Sequence, residues 1–133
     1  MDSLEHSIIR IAVVDDDRML LEVFSSLMKR SPNYHTHFFS TADKAYETIT
    51  EKKGHYHLVI SDIRMPGMNG IEFAKKVRAA ELNLPIILMT GDVTDEARSE
   101  ALSIGRVIFL EKPFPLESTL NEFIPKFLRG EIK

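Results

Sequence analysis

The chain has 133 residues, 44% of them apolar, with 17 basic against 20 acidic side chains, a formal charge of −3 at pH 7 and no cysteine. That length closes one packed domain burying roughly two-thirds of its unfolded surface; the apolar content excludes a disordered chain, and the lack of cysteine excludes disulfides and thiolate metal sites. No apolar run approaches the ~20 residues of a membrane span, the acidic start Met1-Asp2-Ser3-Leu4-Glu5-His6 is unlike a signal peptide, and a pI near 5.9 disfavours direct nucleic-acid binding, so the expectation is a cytoplasmic single domain.

Ile8-Ile9-Arg10-Ile11-Ala12-Val13-Val14 is a β-branched run ending in Asp15-Asp16-Asp17, the pattern of a buried strand with carboxylates at its carboxyl tip. Met19, Leu20, Val23, Phe24, Leu27 and Met28 then recur at helical spacing. Asp17 is placed to cap that helix, and Ser31-Pro32-Asn33 stops it. His35-Thr36-His37-Phe38-Phe39 reads as an edge-like second strand. Ser40 and Asp43 have capping spacing for a helix through about Glu51, ended by Lys53-Gly54.

The third strand, His57-Leu58-Val59-Ile60-Ser61, carries Asp62 directly after its apolar run. Met65-Pro66-Gly67-Met68-Asn69-Gly70 is rich in turn residues, and Ile71, Phe73, Ala74 and Val77 form the inward face of the next helix. Leu84-Pro85-Ile86-Ile87-Leu88-Met89 is a fourth strand, with Pro85 tolerable at its start. Thr90-Gly91-Asp92 closes it. Thr94-Asp95-Glu96 opens a helix with a weak apolar stripe that ends before Gly105. Val107-Ile108-Phe109-Leu110 is the fifth strand, followed by Glu111-Lys112-Pro113-Phe114. The last helix buries Leu116, Leu120, Phe123 and Phe127. Pro125, which removes a hydrogen bond, is expected to kink or shorten it.

Five alternations of strand and helix argue an α/β fold: a single doubly wound (βα)5 domain over 1–133, with its core from about 8 to 128 and a parallel sheet covered on both faces. No repeat, linker or output domain is discernible. Ligands of open parallel sheets collect beyond the carboxyl ends of the strands, where Asp15, Asp16, Asp62, Thr90 and Lys112 fall. Clustered carboxylates repel and require a cation. Without His or Cys the site is a hard oxygen site suited to Mg²⁺, with Mn²⁺ able to substitute. Lys112 adds positive charge, Thr90 a hydroxyl donor, and Gly91 leaves room for a backbone N–H. Such a set can hold a phosphoryl group, with Asp62 as the nucleophile.

The order and spacing of Asp15-Asp16, of Asp62 with Met65-Pro66-Gly67-Met68-Asn69-Gly70, of Thr90-Gly91 and of Lys112-Pro113-Phe114 resemble a bacterial response-regulator receiver domain (CheY-like) over essentially the whole chain. The resemblance implies a flavodoxin-like three-layer sandwich with strand order 2-1-3-4-5. It implies that Asp62 accepts a phosphoryl group from a phosphohistidine of a sensor histidine kinase or histidine phosphotransfer protein. It further implies that Asp16, Asp62 and the backbone carbonyl of Arg64 ligate Mg²⁺ while Asp15 acts through water, that Lys112 pairs with the phosphoryl group before a cis bond to Pro113, and that Thr90 and Phe109 form a switch. The face of the fourth helix, fifth strand and fifth helix would then bind a downstream protein target, as a monomer or a phosphorylation-dependent dimer. The domain would catalyse only its own phosphorylation and dephosphorylation. Phe109 stands where the family often has Tyr, so packing alone must hold its inward rotamer. Arg64 and Asp92, two residues beyond Asp62 and Thr90, flank the mouth of the site with opposite charges.

Blander assignments hold for several residues. Asp17 and Asp43 read as caps or solvated acids. His35/His37 and His55/His57 have strand-like spacing that favours solvent-facing or partner-facing residues over a metal site, and Lys52-Lys53 and Lys75-Lys76 read as solvated helix surface. Two competing functions are a haloacid-dehalogenase-like phosphatase with Asp15 as nucleophile, and a pseudo-receiver that never takes phosphate. The first finds Met19 where that family uses Thr or Val, has no room for a cap and leaves the Asp62 motif unexplained. The second leaves the intact carboxylates, Thr90 and Lys112 without a role.

Overall fold

The structure is a computed structural model describing residues 8–30, 33–80, 83–113 and 115–131, without the side chains at 116 and 120. Nine elements alternate: β1 (Ile9–Val14), α1 (Arg18–Met28), β2 (Tyr34–Phe39), α2 (Ala42–Glu51), β3 (Leu58–Asp62), α3 (Gly70–Ala80), β4 (Ile86–Thr90), α4 (Asp95–Ile104) and β5 (Val107–Glu111). A helical segment, α5, completes the chain as Leu116–Ser118, a π-helical turn Thr119–Phe123, and Ile124–Leu128. All strand pairings are parallel and the order is β2-β1-β3-β4-β5, the arrangement expected from the sequence.

β1, β3 and β4 are short apolar runs because the centre of the sheet is buried on both faces, whereas β2 and β5 at its edges are partly exposed. Alternate side chains feed two core layers. Ala12, Val14, Val59, Ile86 and Leu88 pack with α2 and α3. Ile11, Val13, Leu58, Ile60, Ile87 and Met89 pack with Phe24 and Met28 of α1 and with Ile124 and Phe127 of α5. The strand order brings the ends of β1 and β3 side by side, with Val14 opposite Ser61. Asp15 and Asp62 follow on those two ends.

Several local expectations needed correction. Met19 and Val23 of α1 are 75% and 46% exposed, so the buried stripe of that helix is Phe24 and Met28 flanked by Leu20, Leu21 and Leu27. The cap of α2 is Thr41, whose hydroxyl accepts from Lys44 N–H at 3.3 Å, and not Ser40. β4 begins at Ile86, after Pro85, whose carbonyl accepts from Val59 N–H at 3.0 Å. The irregularity expected at Pro125 is present as the π-helical turn before it, and the helix continues past the proline to Leu128. Pro125 falls in the first turn of the last α-helical piece, where a missing N–H costs least, directly after the π-helical turn. Phe123 is partly buried and Phe127 buried as expected. The stop at Ser31-Pro32, Phe114 and the side chains of Leu116 and Leu120 lie outside the described residues.

Candidate functional site

Asp15, Asp16 and Asp62 converge at the carboxyl end of the sheet, each offering an oxygen within 4.8 Å of the others. Asp15 is fully buried and Asp62 nearly so, whereas Asp16 faces solvent. One oxygen of Asp15, Oδ1, accepts from Asp17 N–H at 2.9 Å. The other, Oδ2, is buried without a hydrogen-bond partner and faces the Lys112 ammonium at 3.7 Å. That ammonium also lies 3.3 Å from Asp62 Oδ2. Burial, more than anything else, raises the Asp15 carboxyl above its usual range. The amide of Asp17 opposes this, the charge of Asp62 adds to it, Lys112 lowers it again, and Asp16 adds a smaller upward push.

Among the described residues the Lys112 ammonium thus pairs with two of the three clustered carboxylates, and one buried carboxylate oxygen has no hydrogen bond. Both features fit a divalent cation with oxygen ligands. Thr90 ends β4, buried, and its hydroxyl is engaged with the backbone of Asp92, accepting from Asp92 N–H and donating to Asp92 O, both at 3.1 Å. Its carbonyl accepts from Lys112 N–H at 2.7 Å, which ties the end of β4 to the lysine. The Lys112–Pro113 peptide bond is cis. The arrangement can neutralise, orient and hold a tetrahedral anion beside a carboxylate.

Residues 11–123 match the response regulator receiver domain family. The chain belongs to that family. A two-component response regulator of Arabidopsis thaliana, ARR14, is 34% identical over 113 residues, covering 85% of this chain and 29% of that protein. The transcriptional regulatory protein FixJ of Bradyrhizobium diazoefficiens is 35% identical over 104 residues, covering 78% of this chain and 49% of that one. The chain therefore spans less than half the length of either relative. Among solved structures, the Vibrio cholerae chemotaxis protein CheY4 superposes with a TM-score of 0.78 at 25% identity, covering 90% of this chain and 98% of that one. The receiver domain of the hybrid histidine kinase CckA superposes with a TM-score of 0.73 at 28% identity and the same coverage. Receiver domains act in two-component signalling, with histidine kinases and downstream targets as partners.

The other sequence-selected residues of this receiver domain divide clearly. Phe109 is half-buried against the α2–α3 core layer and lines a groove of about 460 Å³ with Val93, Arg98, Leu102, Glu111 and Phe123. Arg64 and Asp92 are exposed, and no contact joins them among the described interactions. His57 is structural: its Nδ1 accepts from Arg10 N–H at 2.9 Å. His37 and His55 are exposed, with His37 Nδ1 2.7 Å from the Tyr56 hydroxyl. Burial and then positive neighbours, Lys52 for one and Arg10 for the other, lower both imidazoles. Like charge disfavours a cation there, and the acid cluster alone brings three potential ligands together among the described residues. Asp17 caps α1 through the N–H groups of Met19 and Leu20. No helix among the described residues is long and apolar enough to cross a membrane.

Proposed function

We propose that this receiver domain accepts a phosphoryl group on Asp62 from a phosphohistidine of a sensor histidine kinase or phosphotransfer protein. One observation carries the reading: a carboxylate at the end of β3 lies against the Lys112 ammonium at 3.3 Å, beside a buried Asp15 oxygen with no hydrogen bond. Asp16, Asp62 and the carbonyl of Arg64 would hold Mg²⁺, or Mn²⁺, with Asp15 acting through water. The cation supplies the charge neutralisation that lets a phosphoryl group approach the acids.

Asp62 attacks phosphorus, forming a P–O bond as the P–N bond to the donor imidazole breaks. Lys112 pairs with the transferred oxygens, as its ion pairs with both Asp62 and Asp15 already prefigure. Thr90 must exchange its backbone partners at Asp92 for a phosphoryl oxygen, which couples the site to the segment leading into α4. Phe109 would follow inward, and the groove it lines belongs to the α4–β5–α5 face that we assign to the downstream target. The population shifts only as far as the phosphorylated state binds one conformer better than the other. The reading extends to one cytoplasmic domain with its core from about 8 to 128, acting as a monomer or phosphorylation-dependent dimer and catalysing only its own phosphorylation and dephosphorylation.

Incubation with acetyl phosphate and Mg²⁺, followed by mapping of the modified residue, tests the assignment. Wild type should be labelled on Asp62 and the Asp62→Asn variant should not. Label on Asp15 would indicate the phosphatase-like alternative, and no label from any donor the pseudo-receiver. Arg64 and Asp92 we assign to the phosphoryl lifetime, by pairing or by positioning water at the mouth. Arg64→Ala or Asp92→Ala should change the autodephosphorylation rate about tenfold. Unchanged decay in both would discard that role.

A further inference from the structure

Ser61, which lies outside the motifs, and Gly70, the last residue of the Met65–Gly70 segment, close on the main chain of Asp62. Ser61, fully buried, donates its hydroxyl to the carbonyl of Asp62 at 2.9 Å. Gly70, the first residue of α3, lies so close that an added Cβ would stand 2.3 Å from that same carbonyl oxygen, 3.0 Å from its carbon and 2.7 Å from Ile63 Cα. The Gly70 N–H donates to Ile63 O at 2.8 Å, and Ile63 N–H donates to Met89 O at 3.0 Å. The loop from Ile63 to Asn69, which carries Arg64, is therefore pinched shut at its neck by Asp62, Ile63 and Gly70.

A methyl group at Gly70 would have to displace something, because real contacts of 2.3 Å do not occur. α3 is anchored by buried Ile71, Phe73, Ala74 and Val77. β3 is paired on both sides, Ser61 with Val14 and Asp62 with Met89. The Asp62–Ile63 peptide unit is the point where those two blocks meet. Its tilt sets both the direction of the Asp62 side chain and the position of the Arg64 carbonyl one residue on. Alanine is the better helix former, so local helix propensity gives no reason for glycine here; the close approach does.

We infer that Ser61 and Gly70 are positioning residues: together they clamp the Asp62 carbonyl from two sides and so aim the acceptor carboxylate and the loop carbonyl at one point. This rests on the reading of Asp62 as the phosphoryl acceptor. An acceptor misplaced by a fraction of an ångström loses in-line alignment and a ligand direction, while the fold around it remains intact.

The test compares wild type, Gly70→Ala and Ser61→Ala as full chains. The readouts are the initial rate of acetyl-phosphate labelling per folded molecule, the Mg²⁺ dissociation constant by calorimetry, and the cooperativity of thermal unfolding. Gly70→Ala should slow labelling by about 10- to 100-fold and weaken Mg²⁺ binding, with cooperative unfolding retained. Ser61→Ala, which removes one hydrogen bond and little volume, should slow labelling about fivefold. A purely structural role predicts a lower melting temperature with wild-type rate per folded molecule and wild-type Mg²⁺ affinity in both variants, and that result would overturn the clamp. If Gly70→Ala does not fold, Ser61→Ala decides alone. If wild type itself takes no label, the acceptor reading falls, and unequal or equal Mg²⁺ affinities still decide for or against the clamp.

Discussion

Helices α3 and α4 differ by one residue in length and lie side by side on the same face of the sheet, yet they are held by different physics. α3 buries Gly70, Ile71, Phe73, Ala74 and Val77, and Asn69 caps it by accepting from Glu72 N–H at 2.9 Å. α4 buries only Ala101, and Leu102 stands 84% exposed. Beyond Ala101 and the partly buried Ala97 and Ile104, what holds α4 is polar: Thr94 caps its start, Lys75 reaches from α3 to Glu100 at 2.8 Å, and Arg78 donates to the carbonyls of Gly105 and Arg106 at its end. Apolar burial resists displacement over its whole area, whereas an exposed ion pair and a few carbonyl contacts can be exchanged at small cost. The helix that follows β3 is thus anchored by burial, and the helix that begins a few residues beyond Thr90 is the more weakly held. Local opening is least costly where few apolar contacts break.

The largest expected effect comes from cutting the anchor. Phe73→Ala should destabilise the protein by about 3–5 kcal/mol, while Leu102→Ala on α4 should stay within about 0.5 kcal/mol. Urea unfolding of both variants measures the contrast, and equal losses would erase it.

The anchored half also carries the least comfortable charge, the buried Asp15 oxygen with no hydrogen bond. Its folded carboxyl is raised above the ordinary value of 3.8, so between 3.8 and the raised value the folded protein keeps a proton that the unfolded chain has released. Stability contributed by that group is therefore present below 3.8 and is lost as pH rises through the folded value. Asp15→Asn should stabilise the Mg²⁺-free protein by about 1–3 kcal/mol near neutral pH and flatten that acidic dependence. Thermal melts across pH without and with Mg²⁺ would show whether the gain vanishes when the cation is supplied.

The smallest effect concerns the tether. Lys75 and Glu100 are each about half exposed, so a double-mutant cycle should give a coupling of about 0.2–1 kcal/mol that shrinks with added salt. A coupling well above that range would make α4 as firmly held as its neighbour and break the contrast.

Much of this is legible in the amino-acid sequence. The apolar runs of β1, β3, β4 and β5 read as strands of a parallel sheet, because each is too short for a helix and too continuous for a sheet wetted on one face, and the alternating β2 reads as its edge. Polar residues at their carboxyl ends then had to share one site, and four motifs in the right order identified the receiver family. Some misjudged details were local, such as the cap at Thr41 and the start of β4 at Ile86, and others were questions of which neighbour arrives. Met19 and Val23 have the spacing of a buried stripe, but no element among the described residues covers them. Lys75 reads as a solvated lysine until α4 brings Glu100 within 2.8 Å.

The amino-acid order by itself determined the alternation of strand and helix, the strands' burial, the membership of the acidic site and the glycines and caps at turns, because all of these follow from spacing along the chain. Tertiary structure alone decided that one Asp15 oxygen lacks a hydrogen bond, that Ser61 and Gly70 close on the Asp62 carbonyl, and that Lys75 and Arg78 of α3 are the groups that reach α4 and its end. Each of those depends on sub-ångström approach between elements, and the approach is set by how the whole core packs.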